Sequence, residues 1–255
     1  MTGLLESGHR SDHRIGIGLP KDSFKDVQKH LAKMRSKVEA IPFDDARSLV
    51  VALKHGEIDG SVRGTLSSAK ALDALKDAFS VKQVMRAAIL EDVRGRQFIL
   101  TPVGIDEGAD RASRLQLVEA TLSYFSRLGW DPDIGVLSKG RPEDWGRSQE
   151  IELSLKDGEW LVDKLKREGK KAEHFSILLE DAVAKSDLVV APDGVSGNLI
   201  FRAMHFIGGG KAFGAPVVNI PQVFVDTSRA KCDFGESVLL AAGLVQASVA
   251  YRGER

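Results

Sequence analysis

Apolar positions along this chain switch repeatedly between the short run of a buried strand and the three-and-four spacing of a helix. Residues 14–19 read as a strand carrying Gly16 and Gly18, and Phe24, Val27, Leu31 and Met34 then fall on one helical stripe. Residues 38–42 read as a short strand. Asp44 or Asp45 is placed to cap a helix whose inner face is Ala46, Leu49, Val50 and Leu53. A strand at 58–62 leads to a helix marked by Ala69, Leu72, Leu75 and Phe79. Residues 84–90 and 97–103 read as a hairpin about a turn at 94–96. Leu115, Val118, Leu122, Phe125 and Leu128 give the clearest amphipathic helix in the pattern, followed by a strand at 134–137. Trp160, Leu161 and Leu165 mark another helix. Residues 187–191 form an unbroken apolar run, the mark of a strand buried on both faces. A helix from 197 or 198 to 207 stops at Gly208–Gly210, residues 217–225 read as one bent strand or two, and an Ala-rich helix fills 234–250.

This alternation predicts an α/β fold, mostly parallel sheet covered by helices. No internal repeat or low-complexity linker marks a domain boundary. In such folds ligands bind beyond the carboxyl ends of the strands, so the loops that follow strands are the places to look for chemistry.

Composition narrows the function classes. The 255 residues carry 43% apolar and 28% charged positions, an ordinary globular balance. Lys plus Arg and Asp plus Glu each number 36, so no basic surplus points to nucleic acid. An anionic ligand must be held by a local cluster of positive groups. One cysteine, Cys232, leaves no disulfide within the chain and no thiolate zinc site. The six histidines are scattered without metal-ligand spacing, and no apolar run approaches a membrane span or a secretion signal. A cytoplasmic protein without metal is expected.

Three loops after strands carry candidate chemistry. In residues 59–68, Gly64 permits close backbone approach, Thr65 and Ser67 stand near a helix start, and Arg63 adds charge, a set suited to an anion. The same hydroxyls also serve a plain helix cap. In residues 191–203 a buried strand runs into a helix through Asp193, Gly194, Gly197 and Asn198, where Ser196 or Asn198 can cap and Asp193 can form an Asx turn. In residues 223–233 a strand delivers Thr227, Ser228, Arg229, Lys231, Cys232 and Asp233 together. A guanidinium suits two-point recognition of phosphate. Asp233 and Glu236 also have the spacing of a helix cap and its third residue.

Pro-Asp-x-x-x-Gly-Asn-Leu-x-Phe-Arg-Ala at 192–203, followed by Pro-Val-Val-Asn-Ile-Pro and Thr-Ser-Arg-Ala between 216 and 230, resembles the late signature of the phosphate acetyltransferases and butyryltransferases. Residues 56–68 are similar to that family's earlier Gly-rich region, and the fatty-acyl phosphate synthases are more distant relatives. Val-Leu-Ser-x-Gly-Arg at 136–141 and Gly-Arg-Ser at 146–148 resemble a shorter archaeal branch, the methanogenesis marker protein 4 (MtxX) group, whose name supposes a methyltransferase subunit. The resemblance implies two α/β domains, residues 1–88 with 217–255 and residues 89–216, with a cleft between them and a homodimer through the second. It implies acyl transfer between coenzyme A and phosphate as substrates, with no required cofactor and no metal. Ser228, Arg229 and Asp233 would be catalytic. Arg63, Gly64, Thr65, Ser67, Ser138, Asp193, Gly197 and Asn198 would bind substrate or phosphate.

One departure stands out: Gly235 occupies the offset at which acetyl-transferring members place a catalytic aspartate. It motivates a second expectation, a non-catalytic accessory protein with a methyltransferase or other methanogenesis partner. A decarboxylating dehydrogenase of the same superfamily needs clustered aspartates for a metal, which the sequence lacks. Gly16 and Gly18 alone are too little for an S-adenosylmethionine loop.

Overall fold

The computed structural model describes residues 2–228, 230–231 and 233–253, so Arg229 and Cys232 lie outside the described residues. In chain order these residues hold α1 (Thr2–Arg10), β1 (Arg14–Gly18), α2 (Lys21–Lys33), β2 (Glu39–Phe43), α3 (Ala46–His55), β3 (Gly60–Val62), α4 (Ser68–Phe79), β4 (Ala88–Glu91), β5 (Gln97–Thr101) and α5 (Arg111–Ser126). Then come β6 (Ile134–Leu137), α6 (Gln149–Arg167), β7 (Ala172–Ser176), α7 (Leu179–Lys185), β8 (Leu188–Val190), α8 (Gly194–Phe206), β9 (Lys211–Pro216), β10 (Val223–Asp226) and α9 (Gly235–Gly253). The strands are mostly parallel, an α/β fold as the alternation predicts.

Two compact units share the chain. The first comprises Met1–Val84, Arg127–Gly129 and Phe213–Arg255, the second Met85–Ser126 and Trp130–Ala212. In the first, β2, β1, β3 and β10 run parallel in that order, and β9 closes antiparallel on β10 through Ala215 and Pro216. Ile15, Ile17, Val62 and Val225 are fully buried. Helices α3 and α4 pack Leu49, Leu53 and Leu75 against Val217 and Phe224. Helix α9 lies against β1, β3 and β10, and α1 packs on α9. Pairs of small residues let α1 and α9 approach: a Cβ at Gly8 would overlap the Leu239 carbonyl, and one at Gly243 the Leu4 carbonyl.

In the second unit, β4 and β5 form an antiparallel hairpin, and β5, β8, β6 and β7 follow parallel. The hairpin turn is drawn by Asp92, whose side chain accepts from Arg94 N and Arg96 N at 2.9 Å each. Every residue of β6 and β8 is buried. Helix α6 starts where Ser148 accepts from Ile151 N at 3.2 Å.

Several expectations need correction. Residues 2–10 form a helix where only a polar start was read. Strand β7 and helix α7 went unread: β7 alternates poorly and α7 is short. Helix α8 begins at Gly194, three or four residues before the expected start at 197 or 198, because Asp193 caps it and accepts from Ser196 N at 2.7 Å. Gly197 and Asn198 therefore lie inside a helix, not in a turn. Residues 217–225, read as one bent strand or two, hold a strand only from Val223 onward, since β9 ends at Pro216 and β10 starts at Val223. In α5 Val118, Leu122 and Phe125 are buried as read, Arg114, Leu117 and Thr121 join them, and Leu128 lies beyond the helix end.

Candidate functional site

Within the first unit, the carboxyl ends of β1, β3 and β10 are laced together by backbone. Gly64 has φ +62 and its position leaves no room for a Cβ beside the Gly18 carbonyl, so glycine is required there. Thr65 N donates to Gly18 O at 2.9 Å, and Thr227 Oγ1 donates to Gly64 O at 3.0 Å. Arg63 is buried, and each of its nitrogens donates inside the unit, to the Asp226 carboxylate, Leu66 O and Thr227 O. Its charge pins β10 to the β3 loop rather than facing an open site. Thr65, Ser67 and Lys70 line a cavity of about 340 Å³ that Pro20, Phe43 and Asp44 also border. Ser67 stands at the N-cap of α4 but its side chain makes no capping bond, which leaves the hydroxyl beside that cavity.

The loop after β10 carries the densest chemistry of this unit. Ser228 is partly buried and its Oγ accepts from Ala230 N at 3.2 Å. The Lys231 ammonium donates to Ser237 Oγ at 2.9 Å, and Ser237 donates on to Phe213 O at 2.5 Å. Burial pulls Lys231 down to about 8, with Glu236 and Asp233 opposing. Asp233 uses both carboxylate oxygens: Oδ2 accepts from His30 Nδ1 at 2.7 Å and Oδ1 from Gly235 N at 2.8 Å. The latter bond makes a short turn ahead of α9, in place of the Asp233–Glu236 capping spacing read from sequence. Gly235 lies flat against His30, whose ring fills the space a Cβ would need. Arg229 belongs to this loop and lies outside the described residues.

The second unit gathers its polar groups at the carboxyl ends of β5, β6 and β8. Lys139 sits 2.7 Å from both Glu150 and Asp193. Burial opposes its charge, but the two carboxylates overcome this and hold it above the usual lysine range. Asp193 is likewise held low: Lys139 and the Ser196 amide outweigh its desolvation. Ser138 donates to Gly140 O at 3.1 Å and lies 3.1 Å from His174 Nε2. Burial pushes His174 below the usual range. Gly197 lets α8 close on the Pro102 carbonyl, and Asn198 Nδ2 donates to Val103 O at 2.9 Å. These two residues dock α8 onto the loop after β5. Arg114 is buried beneath, with Nη1 donating to Pro192 O at 2.8 Å and Nε without a partner among the described residues.

The structure thus groups Arg63, Gly64, Thr65, Ser67, Ser228 and Asp233 in one unit, and Ser138, Asp193, Gly197 and Asn198 in the other. His30, Lys139 and His174 were not singled out from sequence. His30 and Asp233 are 203 positions apart, and no local spacing announces the pair. Lys139 stands in the Ser-x-Gly-Arg stretch and was the readable signal. Among the described residues no group of three side chains is arranged to hold a metal, and no helix is long and apolar enough to cross a membrane.

No family model matches the chain. Relatives do. A protein of Methanosarcina barkeri is 37% identical over 242 residues, covering 94% of this chain and 88% of its own length, and one of Methanosarcina acetivorans is 39% identical over 241 residues, covering 94% and 80%. Both carry the provisional name methyltransferase mtx subunit X. A Methanopyrus kandleri protein named only as an uncharacterized methyltransferase is 38% identical over 247 residues, covering 94% and 92%. Among solved structures, a phosphotransacetylase of Streptococcus pyogenes superposes with TM-score 0.68 at 13% identity, covering 98% of each chain. A branched-chain phosphotransacylase of Enterococcus faecalis gives 0.66 at 19% identity, covering 93% of this chain and 99% of its own. A 4-hydroxythreonine-4-phosphate dehydrogenase of Klebsiella pneumoniae gives 0.57 at 12%, covering 96% and 86%. At these identities the structural likeness is one of fold.

Proposed function

This chain belongs to the family of the methyltransferase mtx subunit X proteins, and from its loops and its fold we propose that it moves an acyl group between coenzyme A and phosphate. The observation that carries the reading is the loop after β10, where a turn closed by Lys231 N donating to Ser228 O at 3.1 Å brings these two residues together at the carboxyl ends of parallel strands. The fold shared with phosphotransacylases supports the same chemistry.

Acyl transfer of this kind requires two anions to be oriented, a thiol proton to be accepted and an oxyanion to be stabilised. Arg229 supplies positive charge to the phosphate, and Lys231, its ammonium turned to Ser237, adds to the positive field of the loop. The Ser228 hydroxyl accepts from Ala230 N, so its own proton is free to be donated to the acyl oxygen as charge builds there. Asp233 supplies negative charge where the thiol proton leaves. Ser67 and Thr65, beside the α4 N-terminus, take a second anionic group of the substrate. Within the second unit, Asp193 and Lys139 fix the start of α8, and Ser138, Gly197 and Asn198 shape that unit's own loops for an anionic group. A homodimer through residues 89–216 belongs to this reading.

The test is thiol release from acetyl-, butyryl- and branched-chain acyl-CoA, with and without phosphate. Release that depends on phosphate is expected, and S228A should lower it by about 10²-fold, the scale of losing one oxyanion donor. The absence of phosphate-dependent release for any acyl-CoA at high protein concentration overturns the reading.

Arg63 and Gly235 favour a second reading, an accessory subunit that keeps the site without turnover. Arg63 is spent on internal bonds, and Gly235 offers no carboxylate. Recovery of a methyltransferase with the tagged chain from a native methanogen extract is expected on that reading.

A further inference from the structure

We propose that His30 is the general base of the acyl transfer, and that Asp233 is the positioning residue that holds its ring. The assignment rests on the acyl-transfer reading above and names the group that takes the thiol proton. Asp233 Oδ2 lies 2.7 Å from His30 Nδ1. A carboxylate only accepts, so Nδ1 carries the hydrogen, and in the neutral ring Nε2 keeps its lone pair. Nε2 has no hydrogen-bond partner among the described residues. The carboxylate is itself fixed by the Gly235 amide at 2.8 Å, which leaves the Asp233 oxygens occupied and poorly placed to take a proton directly. The glycine beside the ring completes the arrangement, since any side chain at 235 would collide with the imidazole.

Exposure separates this pair from an internal tie. The His30 side chain is 23% exposed and Asp233 55%, so the ring can be reached by a substrate. As a structural ion pair so open to water it would contribute about 0–1 kcal/mol. Lys231 lies on the same loop, its ammonium drawn inward to Ser237. The loop after β10 thus carries the carboxylate that holds His30, the Lys231 ammonium and the Ser228 hydroxyl.

The step balances without a further reactant. The S–H bond of coenzyme A breaks and its proton moves to Nε2. The sulfur electron pair forms the C–S bond to the carbonyl carbon of an acyl phosphate, and the carbonyl pair moves to oxygen. Its return breaks the C–O bond to phosphate, and the proton on Nε2 passes to the departing phosphate or to water. The reverse direction uses the imidazolium as the acid that protonates the leaving thiolate.

The experiment compares the full-length chain with H30Q, H30A and D233N in the phosphate-dependent assay, with the thermal midpoint of each recorded. H30Q is expected to lose about 10²–10⁴-fold in kcat with little change in the coenzyme A KM. H30A should regain at least about tenfold on addition of imidazole, a rescue that a packing defect does not show. D233N should lose about 10–100-fold without rescue. Nitrogen-15 spectra of the wild-type imidazole give a readout that needs no turnover: hydrogen on Nδ1 is expected, and hydrogen on Nε2 overturns the assignment. Wild-type turnover that H30Q leaves intact sinks the role of His30 alone. No wild-type turnover sinks the acyl-transfer reading itself.

Discussion

Lys231 shows how one residue couples the site to the stability of its unit. Burial pulls its pKa from 10.5 to about 8. Between those values the unfolded chain holds more protons than the folded one, so stability rises with pH across that window. Below pH 8 the buried charge costs at most about 3 kcal/mol, the free-energy equivalent of the shift. K231M should therefore be more stable than wild type at pH 7, by up to about that amount, and the gap should close toward pH 10. Urea unfolding of both proteins at pH 7, 8.5 and 10 checks this; a gap that stays constant would show that burial is not what depresses the lysine. Function should move the opposite way. Losing the ammonium as pH rises through 8 removes a positive charge from the loop that would hold phosphate, so the KM for phosphate should climb above that pH in wild type and be high at every pH in K231M. The same scale explains why the site was only partly legible. Ser228, Arg229 and Asp233 stood out because one loop collects them. His30 did not, because its meaning comes from a carboxylate that the chain brings back only after 203 positions. Arg63 carried a charge that suggested an anion, and only the structure shows that charge engaged by Asp226 and two carbonyls.

Elements were legible wherever their burial is apolar and regular, as in β1, α3 and β8. They were missed where contact is made by backbone or by polar side chains. Helix α1 offers only Leu4 and Leu5 as large apolar residues, and its hold on α9 comes through Gly8 and Gly243. Glycine is a poor helix former, so this packing reads in the sequence as weakness. The consequence is measurable. Gly243→Ala should cost about 1–3 kcal/mol, because the methyl group meets the Leu4 carbonyl and overpacking exceeds the propensity gain. Gly3→Ala, where a Cβ meets nothing within 4 Å, should be neutral or stabilising by up to about 1 kcal/mol. Equal effects of the two in denaturant unfolding would refute the close crossing. In α5 the apolar stripe finds Val118, Leu122 and Phe125 on the buried face and misses Arg114 and Thr121, which an apolar count passes over. Strand β7 exposes Glu173 and half-exposes His174, and so shows neither alternation nor a full apolar run. The buried Arg86–Glu107 pair, 2.7 Å between Nε and Oε1, belongs to the same class of polar contact. Burial pushes the Glu107 carboxyl up against the pull of Arg86 and the Val103 and Gly104 amides. E107A removes the buried partner of the guanidinium, leaves Asp106 beside it, and should cost about 3–5 kcal/mol, read from the thermal midpoint.

At the scale of the molecule, the two units differ in how far along the chain their contacts reach. The second is almost contiguous, from Met85 to Ala212 apart from three residues. The first joins both ends of the chain: β10 pairs with β3, β9 with β10, and α9 covers β1, β3 and β10. Residues 1–84 alone would leave Ile15, Ile17 and Val62 without α9, and β3 without its neighbour, an exposed edge of the kind that aggregates. Non-local pairings of this sort form late, because the loop they close must be ordered first. A chain ending at Ala212 should therefore keep the second unit folded while residues 14–62 lose their protection. The three tryptophans, Trp130, Trp145 and Trp160, all lie in the second unit, so their emission reports on it alone. Native-like emission is expected in the truncated chain, together with a loss of helical circular dichroism and rapid amide exchange in β1 and β3. Protected amides at Ile15 and Val62 in that chain would mean that the first 84 residues carry enough core by themselves, and that α9 caps a unit already formed rather than completing it.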